Sequence, residues 1–174
     1  MTTIIALFFS LFLSFGSASE KQIQQTYSDS ITTYYLIRHA EKDRSDSTNK
    51  DPNLTNEGKE RAKKWTNILK DIKFDAVYST NYNRTKQTAK PLAESQQLDV
   101  KTYEANNLYN DDFKKLTKGK TVLVVGHSNT TPQFANAILG EKKYENIDDS
   151  ENGALFIVHV LEDGSKISQV IYIN

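Results

Sequence analysis

Apolar residues recur along the chain in two patterns that together predict an α/β fold. Short apolar runs predict strands, and longer segments with apolar residues three or four positions apart predict helices. The predicted strands cover residues 32–37, 74–79, 99–103, 121–125, 154–161 and 166–173. The predicted helices cover residues 56–72, 82–95, 111–117 and 132–139. Their alternation indicates a three-layer α/β/α sandwich with a mainly parallel sheet and an antiparallel C-terminal strand.

Several single residues refine these elements. Thr55 is a suitable N-cap for the first helix, and Gly140 follows the last one. Pro91 is expected to bend or end the second helix, because proline cannot donate a helical hydrogen bond. Residues 162–165 predict a hairpin between the last two strands. The face of the first helix expected to be buried consists of Ala62, Trp65, Ile68, Leu69 and Ile72.

The N-terminus reads differently from the rest of the chain. Residues 4–15 form an uncharged apolar run that is short for a membrane span, and the small residues Gly16-Ser17-Ala18 follow it. We predict a cleaved signal peptide over residues 1–18, in preference to a retained anchor. A flexible polar lead-in over residues 19–30 and one domain over residues 31–174 complete the predicted organisation.

An exported bacterial protein, periplasmic or secreted, fits this organisation. The chain has no cysteine, which excludes disulfides and thiolate chemistry. Glycosylation sequons occur at Asn53, Asn83 and Asn129. Two of them lie beside candidate catalytic residues, where a glycan would block the site, which favours a bacterial origin.

The net charge is zero, with 22 Lys and Arg residues against 22 Asp and Glu residues. The chain therefore has no overall basic field, and we expect neither a nucleic-acid partner nor, after signal cleavage, a membrane partner. Any site for an anion has to be built locally from a few side chains.

Four cationic or titratable residues provide such a site. Arg38 and His39 follow the first predicted strand, Arg84 comes five residues after the second, and His127 follows the most buried strand. Parallel strands bring these residues to one carboxyl edge, where ligands bind in open α/β sheets. A phosphoryl group suits two arginines and two histidines, whereas the arginines would repel a metal ion, so no metal is expected. His159, in an apolar strand, is expected to be structural.

Four short motifs in order resemble those of the histidine phosphatase superfamily, which has the phosphoglycerate mutase-like fold. Arg38-His39-Ala40 resembles the nucleophile motif of this family, and residues 54–62 are similar to its L-T-x-x-G-x-x-x-A helix start. Residues 79–89 match its S-x-x-x-x-R-x-x-Q-T-A segment, and residues 124–128 match its second-histidine motif. The resemblance covers about residues 33–173.

This resemblance implies a role for each residue and requires no cofactor. His39 would be the nucleophile that forms a phosphohistidine, while Arg38, Arg84 and His127 would bind the phosphate. Leaving-group protonation calls for a carboxyl group between the second arginine and the second histidine. Glu104 and Asp111 are equal candidates, and Glu41 is expected to pair with a nearby base instead.

A small histidine acid phosphatase-type enzyme is the expected activity, namely a phosphomonoester hydrolase. After signal removal about 156 residues remain (174 minus 18), which leaves little chain to cap the site. An open site admits water to the phosphohistidine and admits either small phosphorylated substrates or exposed phosphates on larger molecules. The alternatives are a phosphoglycerate mutase-like phosphotransferase, a protein phosphohistidine phosphatase and a non-catalytic phosphate-binding module. Substrate and oligomeric state stay open.

Overall fold

The computed structural model describes residues 31–173, so the predicted signal peptide and lead-in lie outside the described residues. The strands are β1 (Thr32–Arg38), β2 (Ala76–Ser79), β3 (Val100–Thr102), β4 (Thr121–Gly126), β5 (Ala154–Val160) and β6 (Lys166–Tyr172). The helices are α1 (Asn56–Leu69), α2 (Asn83–Ser95), α3 (Asp111–Thr117) and α4 (Thr130–Leu139). Within this part of the chain, no helix has the length and apolar character that crossing a membrane requires.

All six strands form one sheet in the order β3-β2-β4-β1-β5-β6. The pairs among β1, β2, β3 and β4 are parallel. β5 is antiparallel to β1 on one side and to β6 on the other. β6 therefore runs in the same direction as β1, and β5 is the antiparallel strand. The predicted α/β fold with a mainly parallel sheet is confirmed.

Alternating side chains of the sheet bury both of its faces, which makes three layers. On one face Tyr34 of β1 and Val124 of β4 pack with residues of α3 and α4, including Phe113 and Phe134. The opposite face is covered by residues of α1 and α2, including Trp65, Leu69, Leu92 and Ala93, which pack on Ile37, Val77, Leu123 and Val125. The central strands are thus apolar on both sides, as their continuous hydrophobic runs predict.

The first helix begins where predicted and ends earlier. The Thr55 side chain accepts a hydrogen bond from the Gly58 amide, as an N-cap does. The helix ends at Leu69 rather than at residue 72, and its buried residues are Gly58, Ala62, Trp65 and Leu69. Ile68 is 38% exposed, so its assignment to the buried face was wrong. Each residue turns the helix by about 100°, which carries Ile68 away from the stripe that contains Leu69.

Pro91 does not end the second helix, which continues to Ser95. Leu92 and Ala93, the two residues after the proline, are buried against the sheet. Helices in proteins derive most of their stability from such packing, which here outweighs one missing backbone hydrogen bond. α4 also departs from its prediction, because it starts at Thr130 instead of residue 132. Gly140 ends it in the left-handed conformation with φ of 78°.

The register of the sheet determines which residues meet beyond its carboxyl edge. Arg38 of β1 pairs with Gly126 of β4, and Ser79 of β2 pairs with Val125 of β4. The amide of His39 donates to the Gly126 carbonyl at 2.9 Å. The segments that follow β1, β2 and β4 therefore leave the sheet side by side.

Candidate active site

The structure brings together the four predicted site residues that follow β1, β2 and β4. The rings of His39 and His127 lie 5.4 Å apart, centroid to centroid. Arg84 Nη2 lies 3.5 Å from His127 Nδ1. The positive charges of Arg38 and Arg84 lower the pKa of both histidines. The carboxyl edge thus holds a compact cluster of two arginines and two imidazoles.

The imidazole of His39 is buried, neutral and oriented by the backbone. Only 4% of the residue is exposed, and burial lowers its pKa to about 3, assisted by the neighbouring cations. Nδ1 lies 2.7 Å from the Ala40 carbonyl oxygen, which can only accept, so Nδ1 carries the proton. Nε2 then bears the lone pair, and it has no hydrogen-bond partner among residues 31–173. A free imidazole nitrogen of this kind is a competent nucleophile.

The tautomer of His127 follows from a chain of hydrogen bonds. Arg84 can only donate, so Nδ1 of His127 accepts from its Nη2. The opposite nitrogen, Nε2, lies 2.9 Å from Thr80 Oγ1. Thr80 donates its own proton to Thr85 Oγ1 at 3.0 Å, which leaves its oxygen to accept from His127. Burial and the charges of Arg84, Lys42 and Arg38 lower the pKa of His127 to about 4.

Arg84 is held at the start of α2 from several sides. Its guanidinium carbon lies 4.4 Å from the centre of the Tyr82 ring, and that ring also packs edge-on against His127. Its Nη1 lies 3.7 Å from a carboxylate oxygen of Asp51. The same Asp51 oxygen accepts from the amide of Asn83, the first residue of α2. These contacts leave Arg84 Nε buried without a partner.

Arg38 is 1% exposed and connects β1 to the segment of residues 141–153. Its Nη1 donates to the carbonyl oxygens of Asp148 and Glu151, both at 2.9 Å. Its Nη2 donates to the Asp149 carboxylate at 2.5 Å, whose other oxygen is paired with Arg44 at 2.6 Å. As with Arg84, Nε of Arg38 is buried and unpartnered. Each arginine therefore has a buried Nε–H group that the described residues leave without a partner.

The two predicted proton donors lie at opposite edges of the sheet. Glu104 follows β3 at the carboxyl edge, where its side chain is exposed. The Asp111 side chain is 97% exposed, is bonded to Lys114, and lines a groove with Thr32 at the start of β1. β1 has seven residues, and a strand of that length spans roughly 20 Å. The structure therefore does not bring Asp111 to His39.

Other residues of the site escaped the sequence analysis. Asp149 and Asp51 hold the arginines, Thr80 holds His127, and Tyr82 supports Arg84. Tyr82 and Thr80 lie within the arginine motif, and proximity along the chain could have indicated them. The two aspartates belong to polar loops with no distinguishing pattern, and only the fold brings them to the arginines.

Glu41 pairs with Arg61 Nε of α1 at 2.5 Å, which confirms that it is a structural partner for a base. A Cβ on Gly58 would lie 2.2 Å from the Glu41 carbonyl oxygen, so this glycine allows α1 to approach the segment after His39. His159 is also structural, because its Nδ1 lies 3.0 Å from Thr33 Oγ1. Within residues 31–173, no three His, Cys, Asp or Glu side chains are grouped to hold a metal ion.

Comparison with known proteins gives the same interpretation of this fold and cluster. A family model described as the histidine phosphatase superfamily (branch 1) matches residues 34–106. No curated protein sequence matches the chain significantly.

Solved structures provide the remaining likenesses. The protein histidine phosphatase SixA complexed with tungstate is 17% identical, with a TM-score of 0.64 over 80% of this chain and 96% of that one. Phosphoserine phosphatase from Entamoeba histolytica is 17% identical, with a TM-score of 0.61 over 79% and 95%. Phosphoglycerate mutase from Bacillus anthracis is 18% identical, with a TM-score of 0.61 over 84% and 94%. Identities this low establish the fold, and the family model adds a superfamily match over part of the chain. Residues 34–106 match the histidine phosphatase superfamily, and the chain has the phosphoglycerate mutase-like fold of a small member.

Proposed function

We propose that the protein is a phosphomonoesterase that works through a phosphohistidine on His39. The observation that carries this proposal is the state of the His39 imidazole. Its proton is fixed on Nδ1 by the Ala40 carbonyl, and its free Nε2 lies among the cationic groups of Arg38 and Arg84. A neutral nucleophile surrounded by fixed positive charge suits attack on an anionic phosphoryl group.

The charges around the cluster favour an anionic ligand. The histidines are neutral at pH 7, since their pKa values lie at about 3 and 4. The charged side chains around them are four cations and three carboxylates, an excess of one positive charge: Arg38, Lys42, Arg44, Arg84, Asp51, Asp148 and Asp149. A phosphomonoester carries about two negative charges at neutral pH, so this excess favours its binding.

The buried guanidinium groups supply the transition-state contacts in this proposal. The unpartnered Nε atoms of Arg38 and Arg84 donate to equatorial phosphoryl oxygens as charge develops there. The arriving dianion raises the pKa of His127, because an opposite charge favours the imidazolium. His127 then keeps Nε2–H on Thr80 and donates from Nδ1 to the phosphate.

Hydrolysis, rather than transfer to a second substrate molecule, is favoured by the open mouth of the site. Asp149, which contacts Arg38, is 64% exposed, and its other partner Arg44 is 54% exposed. Water can therefore reach the phosphohistidine, and hydrolysis follows when water attacks the phosphorus opposite Nε2. The phosphoserine and protein histidine phosphatases among the structural relatives support small phosphomonoesters and phosphohistidine as the first substrates to test.

The activity is tested by phosphate release from a panel containing p-nitrophenyl phosphate, phosphoserine, phosphohistidine and 3-phosphoglycerate. We expect turnover of at least one, and His39→Ala is expected to abolish it while retaining the binding of inorganic phosphate. His159→Gln, at the other edge of the sheet, is the matched control and should keep the wild-type rate. Isomerised phosphoglycerate without phosphate release would favour a mutase. Phosphate binding without turnover of any substrate would indicate a non-catalytic phosphate-binding module.

We also propose that the protein is exported, on the strength of the apolar run and small residues at positions 4–18. Expression of the full chain in a bacterium, followed by fractionation and N-terminal sequencing, tests this. A periplasmic or secreted form that begins at Ser19 is expected. An uncleaved chain in the cytoplasm would contradict export and would favour a cytoplasmic phosphohistidine phosphatase.

A further inference from the structure

The two outermost strands of the sheet differ in how well they are protected against pairing with another molecule. β3 has only three residues, with the exposed Lys101 at its centre. β6, at the other end of the strand order, has seven residues, no proline and no bulge in its pairing with β5. Short length, lysines, prolines and bulges are the usual means by which an outermost strand avoids new partners. β6 has only one of these features, the single charged residue Lys166 at its first position.

Half of the backbone groups of β6 point away from the sheet. The amide of Leu161 donates to the Ser165 carbonyl at one end of the hairpin. The amide of Ile173 donates to the Gly153 carbonyl at the other end. With the register between these two bonds, the odd-numbered residues of β6 bond to β5. The even-numbered residues therefore direct their N–H and C=O groups outward, where no strand of the described part of the chain pairs with them: Lys166, Ser168, Val170 and Tyr172.

The side chains of this strand are apolar and exposed where the helices do not reach. Ile167 is 58% exposed, and Ile171 is 43% exposed. Ile171 lies opposite Leu155 of β5, which belongs to the core on the α1 and α2 side, so both isoleucines lie on that face of the sheet. Tyr172, on the other face, is 64% exposed. Exposed apolar side chains beside unpaired backbone groups are typical of a strand that adds to another strand.

Two copies of β6 fit each other in one antiparallel register. With Gln169 opposite Gln169 of the second copy, all seven residues pair, and the outward-pointing residues face one another as the backbone bonds require. Ile167 then lies opposite Ile171 of the second copy, at a non-hydrogen-bonded position where side chains are closest. A shift of the strands by two residues would pair only five and would no longer place Ile167 opposite Ile171. The strand is therefore complementary to itself.

The charges of two copies are compatible with this register. The chain has a net charge of zero, so two copies do not repel each other as a whole. Lys166 lies opposite Tyr172 of the second copy, and an aromatic ring attracts an ammonium group. The two copies of Lys166 lie at opposite ends of the pair, roughly 20 Å apart for six residues of strand. No like charges are placed opposite each other.

We propose that β6 is a homodimer interface, across which two copies of this chain join their six-stranded sheets into one continuous sheet. The two-fold axis passes between the paired Gln169 residues and reverses the strand direction, so the two candidate active sites face opposite ways. One strand from each copy makes a small interface, so we expect a weak dimer with a Kd of about 10–100 μM. The interface is separate from the His39 cluster, and its test does not depend on phosphatase activity.

Sedimentation equilibrium tests the dimer on the protein as it is isolated from the expressing bacterium. Over about 1 to 300 μM, the average mass should rise from one copy toward two. Ile167→Lys combined with Ile171→Lys places like charges opposite each other and should raise the Kd at least about tenfold. Leu116→Lys on α3 is the matched control, because Leu116 is 59% exposed and lies outside β6, and it should leave the Kd unchanged. Thermal unfolding of each variant verifies that it is folded.

Ile167→Lys combined with Ile171→Glu tests the register. In the proposed pairing each introduced lysine faces an introduced glutamate of the other copy, whereas within one copy the two positions are roughly 13 Å apart. We expect this variant to dimerise with a Kd within about threefold of the wild-type value, because opposite charges stabilise a cross-strand pair. A dimer that persists with both lysines, or a lysine–glutamate variant that stays monomeric, would overturn the proposed interface.

Hydrogen exchange tests the wild-type protein without any substitution. The outward amides of Ser168 and Val170 should exchange at least about threefold more slowly at 300 μM than at 1 μM, as pairing protects them. The amides of Gln169 and Ile171, which already bond to β5, should change less. Equal protection of Ser168 and Val170 at both concentrations would indicate that another segment of the same chain covers β6. That result, or a mass of one copy at every concentration, would overturn the proposal.

Discussion

His39 and His159 lie at opposite edges of one sheet, and the comparison shows what turns a histidine into a candidate nucleophile. His159, on the antiparallel strand β5, has a hydroxyl partner in Thr33, next to the start of β1. His39 follows a parallel strand, and its neighbours Arg38 and Arg84 each have a buried Nε–H without a partner. The direction of the strands concentrates cations at the carboxyl edge, since β1, β2 and β4 all release their chains there. A histidine in a strand is therefore informative only when its edge of the sheet is known.

The largest contrast between the edges should appear when a cation is removed from each. Arg84→Met at the carboxyl edge is expected to lower kcat/KM by about 10²–10³-fold, because it removes a fixed donor to the developing phosphoryl charge. Lys115→Met, in the lysine-lined groove at the amino edge, should change kcat/KM by less than about twofold, as surface substitutions usually do. Steady-state kinetics on the best panel substrate measures both values. Comparable losses at both edges would contradict the assignment of the site.

Two glycines sharpen the comparison through stability. At Gly58 a Cβ would meet the Glu41 backbone at 2.2 Å, whereas at Gly164 in the β5–β6 hairpin nothing lies within 4 Å. Gly58→Ala is expected to lower the free energy of unfolding by about 2–3 kcal/mol, as overpacking of a closed contact does. Gly164→Ala should cost only about 1 kcal/mol, from its φ of 81°. Urea denaturation of the pair gives both values, and equal losses would show that the packing beside His39 is loose.

A further effect concerns acid stability. The pKa of His39 is about 3 in the folded protein, against an ordinary value of 6.5. Between those values the unfolded chain binds a proton that the folded chain does not, so acid favours unfolding. The contribution of His39 is complete above the ordinary value and declines as the pH falls toward 3, by up to about 1.4 kcal/mol per pH unit. His39→Asn should therefore show a shallower decline in unfolding free energy between pH 6 and pH 4. Parallel curves would mean that the imidazole is solvated.

Local patterns were sufficient to predict most of the fold. α3 has the predicted bounds, and Thr55 is the predicted cap, because both depend on neighbours within a few residues. The expectation that Pro91 bends or ends α2 fails only for ending, since the helix continues to Ser95, the end of its predicted range. Spacing alone could not decide whether Ile68 is buried. A residue at the border of the apolar face of a helix is buried only if a neighbouring element packs over it.

The site divides in the same way between local and distant determinants. The four residues at the strand ends could be predicted, because the sheet topology itself brings them together. Asp149 could not, since it lies 111 residues from Arg38 along the chain and reaches it only through the fold. Asp111 lies at the edge opposite the site for the same reason. Asp111 of α3 lies near the start of β1, and only the tertiary fold decides which end of β1 is close to α3.

Direct detection of the covalent intermediate tests the central claim. The protein is mixed with a ³²P-labelled substrate from the panel, quenched within milliseconds in alkali, and digested for mass spectrometry. We predict an acid-labile and alkali-stable phosphate on the peptide that contains His39, retained in His159→Gln and absent from His39→Ala. Rapid phosphate release with no phosphopeptide, or with the phosphate on another residue, would contradict the account.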